Sequence, residues 1–159
     1  MIETVLSIPL IGIVFAMASQ VMMTQVDSYE MVASRQGELT DARYSLNRVA
    51  DELLYLKTSD VLAISSNSIS FVDKDGNDTS FSTTVNGSTT SLMRGTDELL
   101  SGISSFQLTY LDSTGTSTND MTMLRQIQIS ITTKAIGTTP GLTLSTTVIP
   151  RNFVYASYQ

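Results

Sequence analysis

The sequence contains no cysteine, no histidine and no tryptophan. Without cysteine there are no disulfides, no thiol nucleophile and no thiolate metal site. Without histidine there is no histidine-dependent triad and no imidazole-ligated zinc. Charge is scarce as well: 15% of the 159 residues are charged, against roughly 25% in ordinary soluble domains. The 15 acidic residues outnumber the 9 basic ones, for a net charge of −6. Contact with nucleic acid is not expected, because affinity for phosphates comes from clustered Lys and Arg. Little remains from which to build an active site. The chain is read as a non-enzyme with no cofactor.

Neutral polar side chains stand where charges are missing, with 22 serines and 22 threonines beside a hydrophobic share of 42%. The length suits one modest domain plus an appendage. Between Glu3 and Asp27 no ionisable side chain occurs, so residues 4–26 form an uncharged, mostly apolar run. As a helix, 23 residues cover about 35 Å at ~1.5 Å each, and a bilayer core is roughly 30 Å thick. A cleavable secretory signal is one reading, with Ala16-Met17-Ala18 as a small-x-small site. It lacks a basic leading region, and its one early charge is acidic. A plain single-span anchor is another reading, and it leaves Glu3 and Pro9 without a role. The third makes the run both a membrane anchor and the packing helix of an assembly.

Residues 27–57 change character without a helix-ending signal. Leu39, Ala42, Leu46, Val49, Leu53 and Leu56 recur at alternating spacings of three and four. That is one apolar stripe on a helix, expected to pack on the chain's own domain. Asp41, Arg43, Arg48, Asp51, Glu52 and Lys57 mostly fall on the other faces. Gly37 is the weak point, at roughly 1 kcal/mol relative to alanine. A continuous helix over 4–57 would be about 81 Å long, more than a small domain can cover. Its N-terminal half needs another partner.

From Thr58 the period changes to that of strands. Ile69 and Phe71 alternate with Ser70 and Val72 up to the turn Lys74-Asp75-Gly76-Asn77. Residues 78–85 lead to Asn86-Gly87, a hairpin signal, and 88–92 follow. Thr96 to Leu100 resembles a short capped helical turn closed by Gly102. Alternation returns at Phe106, Leu108 and Tyr110, then, after a loop over 113–119, at Ile127, Ile129 and Ile131. A turn over 137–141 precedes Leu142, Leu144 and Val148. Five or six such strands make an antiparallel sheet with one apolar face, which the 39–56 stripe is placed to cover. The expected fold is α+β: an N-terminal helix over 1–57 (membrane segment 4–26, amphipathic part 27–57) packed on a β-rich head over 58–159.

At its N-terminus, Met1-Ile2-Glu3-Thr4-Val5-Leu6 followed by the apolar run resembles the start of type IV pilin-like proteins, whose Leu-Ile-Glu core follows the prepilin peptidase site. The two residues that usually precede this core, and the basic leader ending in glycine, are not in the sequence. Leu100-Ser101-Gly102-Ile103 with Phe106 to Tyr110 resembles the PilW-type minor pilins and the type II secretion pseudopilin J. So do Leu124 to Ile129 and the stretch from Thr147 to Phe153. The resemblance implies a pilin-like fold and a minor filament subunit, held in the bacterial inner membrane until assembly into a periplasmic or extracellular filament. Its implied partners are other pilin or pseudopilin subunits. In this family the glutamate near the mature N-terminus is paired with the terminal amine of the adjacent subunit, a role that would fall to Glu3. Val5, Leu6, Pro9, Leu10, Ile13, Val14 and Met17 would make the remaining subunit contacts. Filaments of this kind serve adhesion, motility, DNA uptake or secretion, and the motifs do not choose among them. The alternative from another class is a monomeric, membrane-tethered periplasmic β domain that binds a partner or ligand.

Smaller motifs have local explanations. A glutamate in a first helical turn is favourable with the helix dipole alone. Pro9 removes one helical hydrogen bond; it is either a tolerated kink or, with Gly12, a bend or melted segment. Asp73, Asp75 and Asn77 have the first three spacings of a calcium loop, but glycine falls at the fourth position and Thr84 at the twelfth. Hairpin chemistry accounts for them equally well. Asn77-Asp78-Thr79 and Asn86-Gly87-Ser88 match the N-glycosylation pattern. Lys57, Lys74 and Lys134 lie near expected element ends, and no Ser–Lys pair is read from them.

Overall fold

In the computed structural model, residues 2–135 and 140–153 are described, with side chains from Leu10 onward. One helix, α1 (Ile2–Leu54), precedes a seven-stranded antiparallel sheet, the α+β organisation expected from the sequence. The chain divides into two compact units, Met1–Glu38 and Leu39–Gln159. The helix runs through Pro9, Gly12 and Gly37 without interruption, so a melted segment at Pro9 is not part of this conformation. It ends three residues earlier than the sequence suggests. Leu56 N–H closes a tight last turn on the Leu53 carbonyl at 3.3 Å, and Lys57 is already extended. That tightening turns the Leu56 side chain into the core, where it is 3% exposed.

In the second unit the sheet is a meander whose spatial order is its chain order. Its strands are β1 (Val61–Ser65), β2 (Ser68–Val72), β3 (Asp78–Asn86), β4 (Thr89–Arg94), β5 (Asp97–Leu111), β6 (Gln126–Thr133) and β7 (Thr143–Val148). Seven strands replace the five or six expected, because β1 has no clean alternation to show: only Val61 of its residues is buried. The helical turn expected over 96–100 is absent. Asp97 to Leu100 begin the 15-residue strand β5, joined to β4 by a hairpin at Gly95-Thr96 with Arg94 opposite Asp97. Gly95 has φ +57°, a conformation that costs glycine nothing and other residues a clash. A register shift between Ile103 and Ser105 lets Ile103 and Phe106 both face inward although three residues apart. The turn expected over 137–141 lies mostly outside the described residues.

The sheet curls on itself. Where β4 has ended, the free edge of β5 is met by the β1–β2 turn: Leu108 N–H donates to the Ser66 carbonyl at 2.7 Å. The Tyr110 hydroxyl reaches the Ser65 and Ser68 carbonyls at 2.9 and 3.0 Å. Inside the curl, Ala42, Leu46, Val49 and Leu53 of α1 are buried, as are Ile69, Phe71, Phe81, Leu92, Ile127, Ile129 and Ile131 of the sheet. Leu39 is half-buried. Ser45 sits within this stripe and donates to the Leu99 carbonyl at 3.0 Å, so its buried hydroxyl is satisfied. After β7 the chain returns to the helix end. Phe153 is fully buried, Asn152 donates to the Tyr55 carbonyl at 3.1 Å, and the Arg151 guanidinium stands 5.7 Å from the Tyr55 ring.

Candidate functional site

The surface of the first unit is the most unusual feature of the chain. From residue 10 to residue 34 every side chain is exposed. Leu10, Ile11, Ile13, Val14, Phe15 and Met17 are consecutive or nearly so. With Val21, Met22 and Met23, also exposed, they fall around the whole circumference at 100° per residue rather than on one stripe. Of the residues expected to contact neighbouring subunits, Leu10, Ile13, Val14 and Met17 lie on this surface, between 59% and 67% exposed. Glu3, Val5, Leu6 and Pro9 lie on the first turns of α1, and their side chains are outside the described residues.

Two hydroxyls of this surface are bonded within the helix. Thr24 Oγ1 donates to the Gln20 carbonyl at 2.9 Å, and Ser28 Oγ to the Thr24 carbonyl at 2.7 Å. Such i−4 bonds let a hydroxyl sit in an apolar medium without a water partner. Among the described residues, α1 is the one helix long and apolar enough to cross a membrane.

In the second unit a cleft of about 640 Å³ opens beside the last turns of α1, with Tyr55, Leu56 and Phe71 in its wall. Four of its charged residues, Arg48, Glu52, Asp73 and Arg94, form one network. Arg94 Nε donates to both carboxylate oxygens of Glu52 at 2.8 and 2.9 Å, and Arg48 Nε lies 2.8 Å from the same carboxylate. The Arg94 guanidinium also stands 3.8 Å from Asp73. The hydrogen bond that Arg94 donates to Glu52 raises the pKa of Arg94, against the desolvation that lowers it. This network fastens the helix to β4 and to the β2–β3 turn. Nothing in local sequence pairs Glu52 with Arg94, 42 residues away, so no motif could have found it.

Asp73, Asp75 and Asn77, considered for calcium, share one turn. Asp73 Oδ1 accepts the N–H groups of Asp75 and Asn77, both at 2.9 Å. The Asn77 bond is the largest cause of the lowered pKa of Asp73. Among the described residues no three acidic side chains gather as a cation site. The same device recurs at Asp112, whose Oδ1 accepts N–H from Thr114 and Thr116 and the Thr114 hydroxyl. Here the Thr114 hydroxyl bond leads in lowering the pKa. The repeated signal was legible: both are Asp-x-x-Gly segments, 73–76 and 112–115.

No protein-family model, curated protein or solved structure matches the chain. The class defined by fold and surface is therefore an α+β protein with an N-terminal helix able to span a membrane.

Proposed function

We propose that this chain is a structural, non-enzymatic subunit of a type IV pilus or type II secretion pseudopilus, of the minor kind. Residues 4–26 hold it in the bacterial inner membrane before assembly. The same segment then packs among the helices of other pilin or pseudopilin subunits in a periplasmic or extracellular filament. The observation that carries this reading is the segment from residue 10 onward, apolar and exposed on every face. Burying one Val, Leu, Ile, Phe or Met side chain contributes roughly 1.5–3 kcal/mol. The nine large ones from Leu10 to Met23 together represent more than about 13 kcal/mol, as much as the whole stability of a typical domain. Such a surface is stable only in lipid or against other apolar helices. The α+β arrangement and the self-bonded hydroxyls of Thr24 and Ser28 agree with both environments.

Glu3 separates the filament from the simple tether, because a tether does not need a carboxylate in its first turn and a filament does. In the filament it accepts a charge-assisted bond from a neighbour's terminal amine. The test is Glu3→Ala in the native host, with filaments sheared off and blotted. The mutant is expected in the membrane and folded, but poorly incorporated. Incorporation at the wild-type level returns the chain to the tether reading.

A further inference from the structure

The uncharged run is bracketed by two carboxylates, Glu3 and Asp27. Between them α1 rises about 36 Å, against a hydrocarbon core of roughly 30 Å and a bilayer of roughly 40–45 Å with its headgroups. The brackets leave only about 6 Å of slack for the helix to slide along its axis. With Phe15 at the midplane, the backbone of Tyr29 lies about 21 Å out, at the outer limit of the headgroup layer. In an α-helix each Cα–Cβ bond leans toward the N-terminus, and here that direction leads back into the bilayer. The Tyr29 ring thus reaches the headgroup layer, which suits an apolar ring carrying one hydroxyl.

At this boundary the helix is two-faced. At 100° per residue, Met22, Val26, Tyr29, Val32 and Ala33 fall within one arc of about 120°, with Gln25 among them. Asp27, Glu30 and Ser34 fall on the opposite arc, with Met31 among them. All of these side chains are exposed, and Val26, Tyr29 and Val32 are 57%, 76% and 56% exposed. Ser28, between the two arcs, returns its hydroxyl to the Thr24 carbonyl. An upright helix would hold both arcs at one depth, with Asp27 as far into the layer as Val26. A tilt toward the Tyr29 side separates them, and interfacial aromatic side chains are among the groups that set such a tilt.

We infer that residues 26–33 of α1 rest in the headgroup layer of the bilayer, tilted so that the Val26–Tyr29–Val32 face lies toward the acyl chains and Asp27 and Glu30 toward water. The occupant of this face is lipid because the face runs on unbroken from the membrane segment: Met22 and Val26 belong to both. The inference rests on the membrane-anchor part of the preceding reading and not on the filament. The tilt has a measurable signature at two neighbouring positions. Val32 is one residue further from the midplane than Met31, so an upright helix puts it about 1.5 Å shallower. At a tilt of about 20° and a side-chain radius of about 5–6 Å, Val32 becomes the deeper of the two by ~1 Å. The order of the two depths reverses.

The chain has no native tryptophan, so a single introduced indole reports one depth without background. Full-length Phe15→Trp, Tyr29→Trp, Met31→Trp and Val32→Trp are each placed in phosphatidylcholine liposomes at low protein-to-lipid ratio. The lipid carries bromine either near the ester end of its acyl chains or near their methyl end, and aqueous iodide is the third quencher. Phe15→Trp is expected to be quenched most by the deep bromine. Tyr29→Trp should be quenched more by the shallow bromine than by the deep one, with emission to the blue of a free tryptophan amide. Val32→Trp should be quenched by the shallow bromine more than Met31→Trp is, and by iodide less. If Tyr29→Trp responds to iodide alone, the bilayer ends before residue 29 and the inference is overturned. Quenching of Met31→Trp by the shallow bromine equal to or above that of Val32→Trp removes the tilted face and overturns it too. Protection of Tyr29→Trp from all three quenchers assigns the face to another protein helix, which also overturns it. In each of those cases deep quenching of Phe15→Trp leaves the anchor standing. If Phe15→Trp itself escapes the deep bromine, the anchor reading fails and the inference falls with it.

Discussion

Replacing Leu53 with alanine tests whether α1 is the lid of the sheet. Leu53 is fully buried on the inward face of the helix, in the same core as Phe71, Phe81 and Leu92. The substitution removes three carbons from a packed interior and leaves a cavity that the surrounding strands can close only in part. Such changes cost about 2–5 kcal/mol, a large share of the roughly 5–15 kcal/mol that stabilises a domain. At about 3–5 °C of melting temperature per kcal/mol for a unit of this size, the midpoint should fall on the order of 6–25 °C. The assay is thermal unfolding of the full chain in mild detergent, followed by the β-sheet signal in far-ultraviolet circular dichroism. Helix signal from residues outside the second unit is read separately. Tyr44→Ala, on the exposed face of the same helix, is the comparison and should shift the midpoint by less than about 0.5 kcal/mol equivalent. Should Leu53→Ala be no worse than Tyr44→Ala, the helix does not cover the sheet and the core drawn above is wrong.

Other perturbations have equally definite outcomes. Burial pushes the Tyr110 hydroxyl above its ordinary pKa of 10.0, against the Ser65 bond that lowers it. A pKa raised by folding gives stability that is complete below 10.0 and lost above it, at up to about 1.4 kcal/mol per pH unit. Denaturant titrations should show Tyr110→Phe weaker at neutral pH by roughly 1–2 kcal/mol, for the carbonyl partners it strands, with a shallower alkaline loss than wild type. Asp112 has a lowered pKa, so its contribution is present above the ordinary 3.8 and disappears as pH falls below that value. Asp112→Asn keeps an acceptor oxygen and should flatten the acid limb of a melting-temperature profile; an unchanged limb would show the turn carries no linkage. Val14→Asp puts a charge mid-segment at a cost of about 2.5–3.5 kcal/mol. It should reduce membrane insertion and filament yield more than a charge reversal at Lys134, measured by fractionation and blotting. Detergent should dissolve the proposed filament while 1 M salt, at a Debye length of about 3 Å, should not; the reverse result would make the interface electrostatic.

Periodicity alone determined a good deal of this protein. The uncharged run, the stripe from Leu39 to Leu56 and the alternation at Ile127, Ile129 and Ile131 are one-dimensional patterns. A helix repeats every 3.6 residues and a strand every two, so the buried face is written in the spacing. The sequence also required a partner for residues 10–26, because no arrangement of the remaining chain could cover a helix apolar on all sides. What it could not supply were features that depend on elements far apart. Leu99 and Leu100 follow Asp97-Glu98 in a pattern shared with a helix's first turn, and only pairing with β4 made them strand. Val61 to Ser65 became β1 because β2 offered it an edge, not because its own pattern demanded it. The Glu52–Arg94 pair and the Tyr110 hydroxyl on the β1–β2 turn exist because the sheet curls. That curl comes from register shifts at Ala63, Leu92 and Ser105 and from contacts more than 40 residues apart. A bulge changes which side chains face inward without changing the local composition, so tertiary packing decides it.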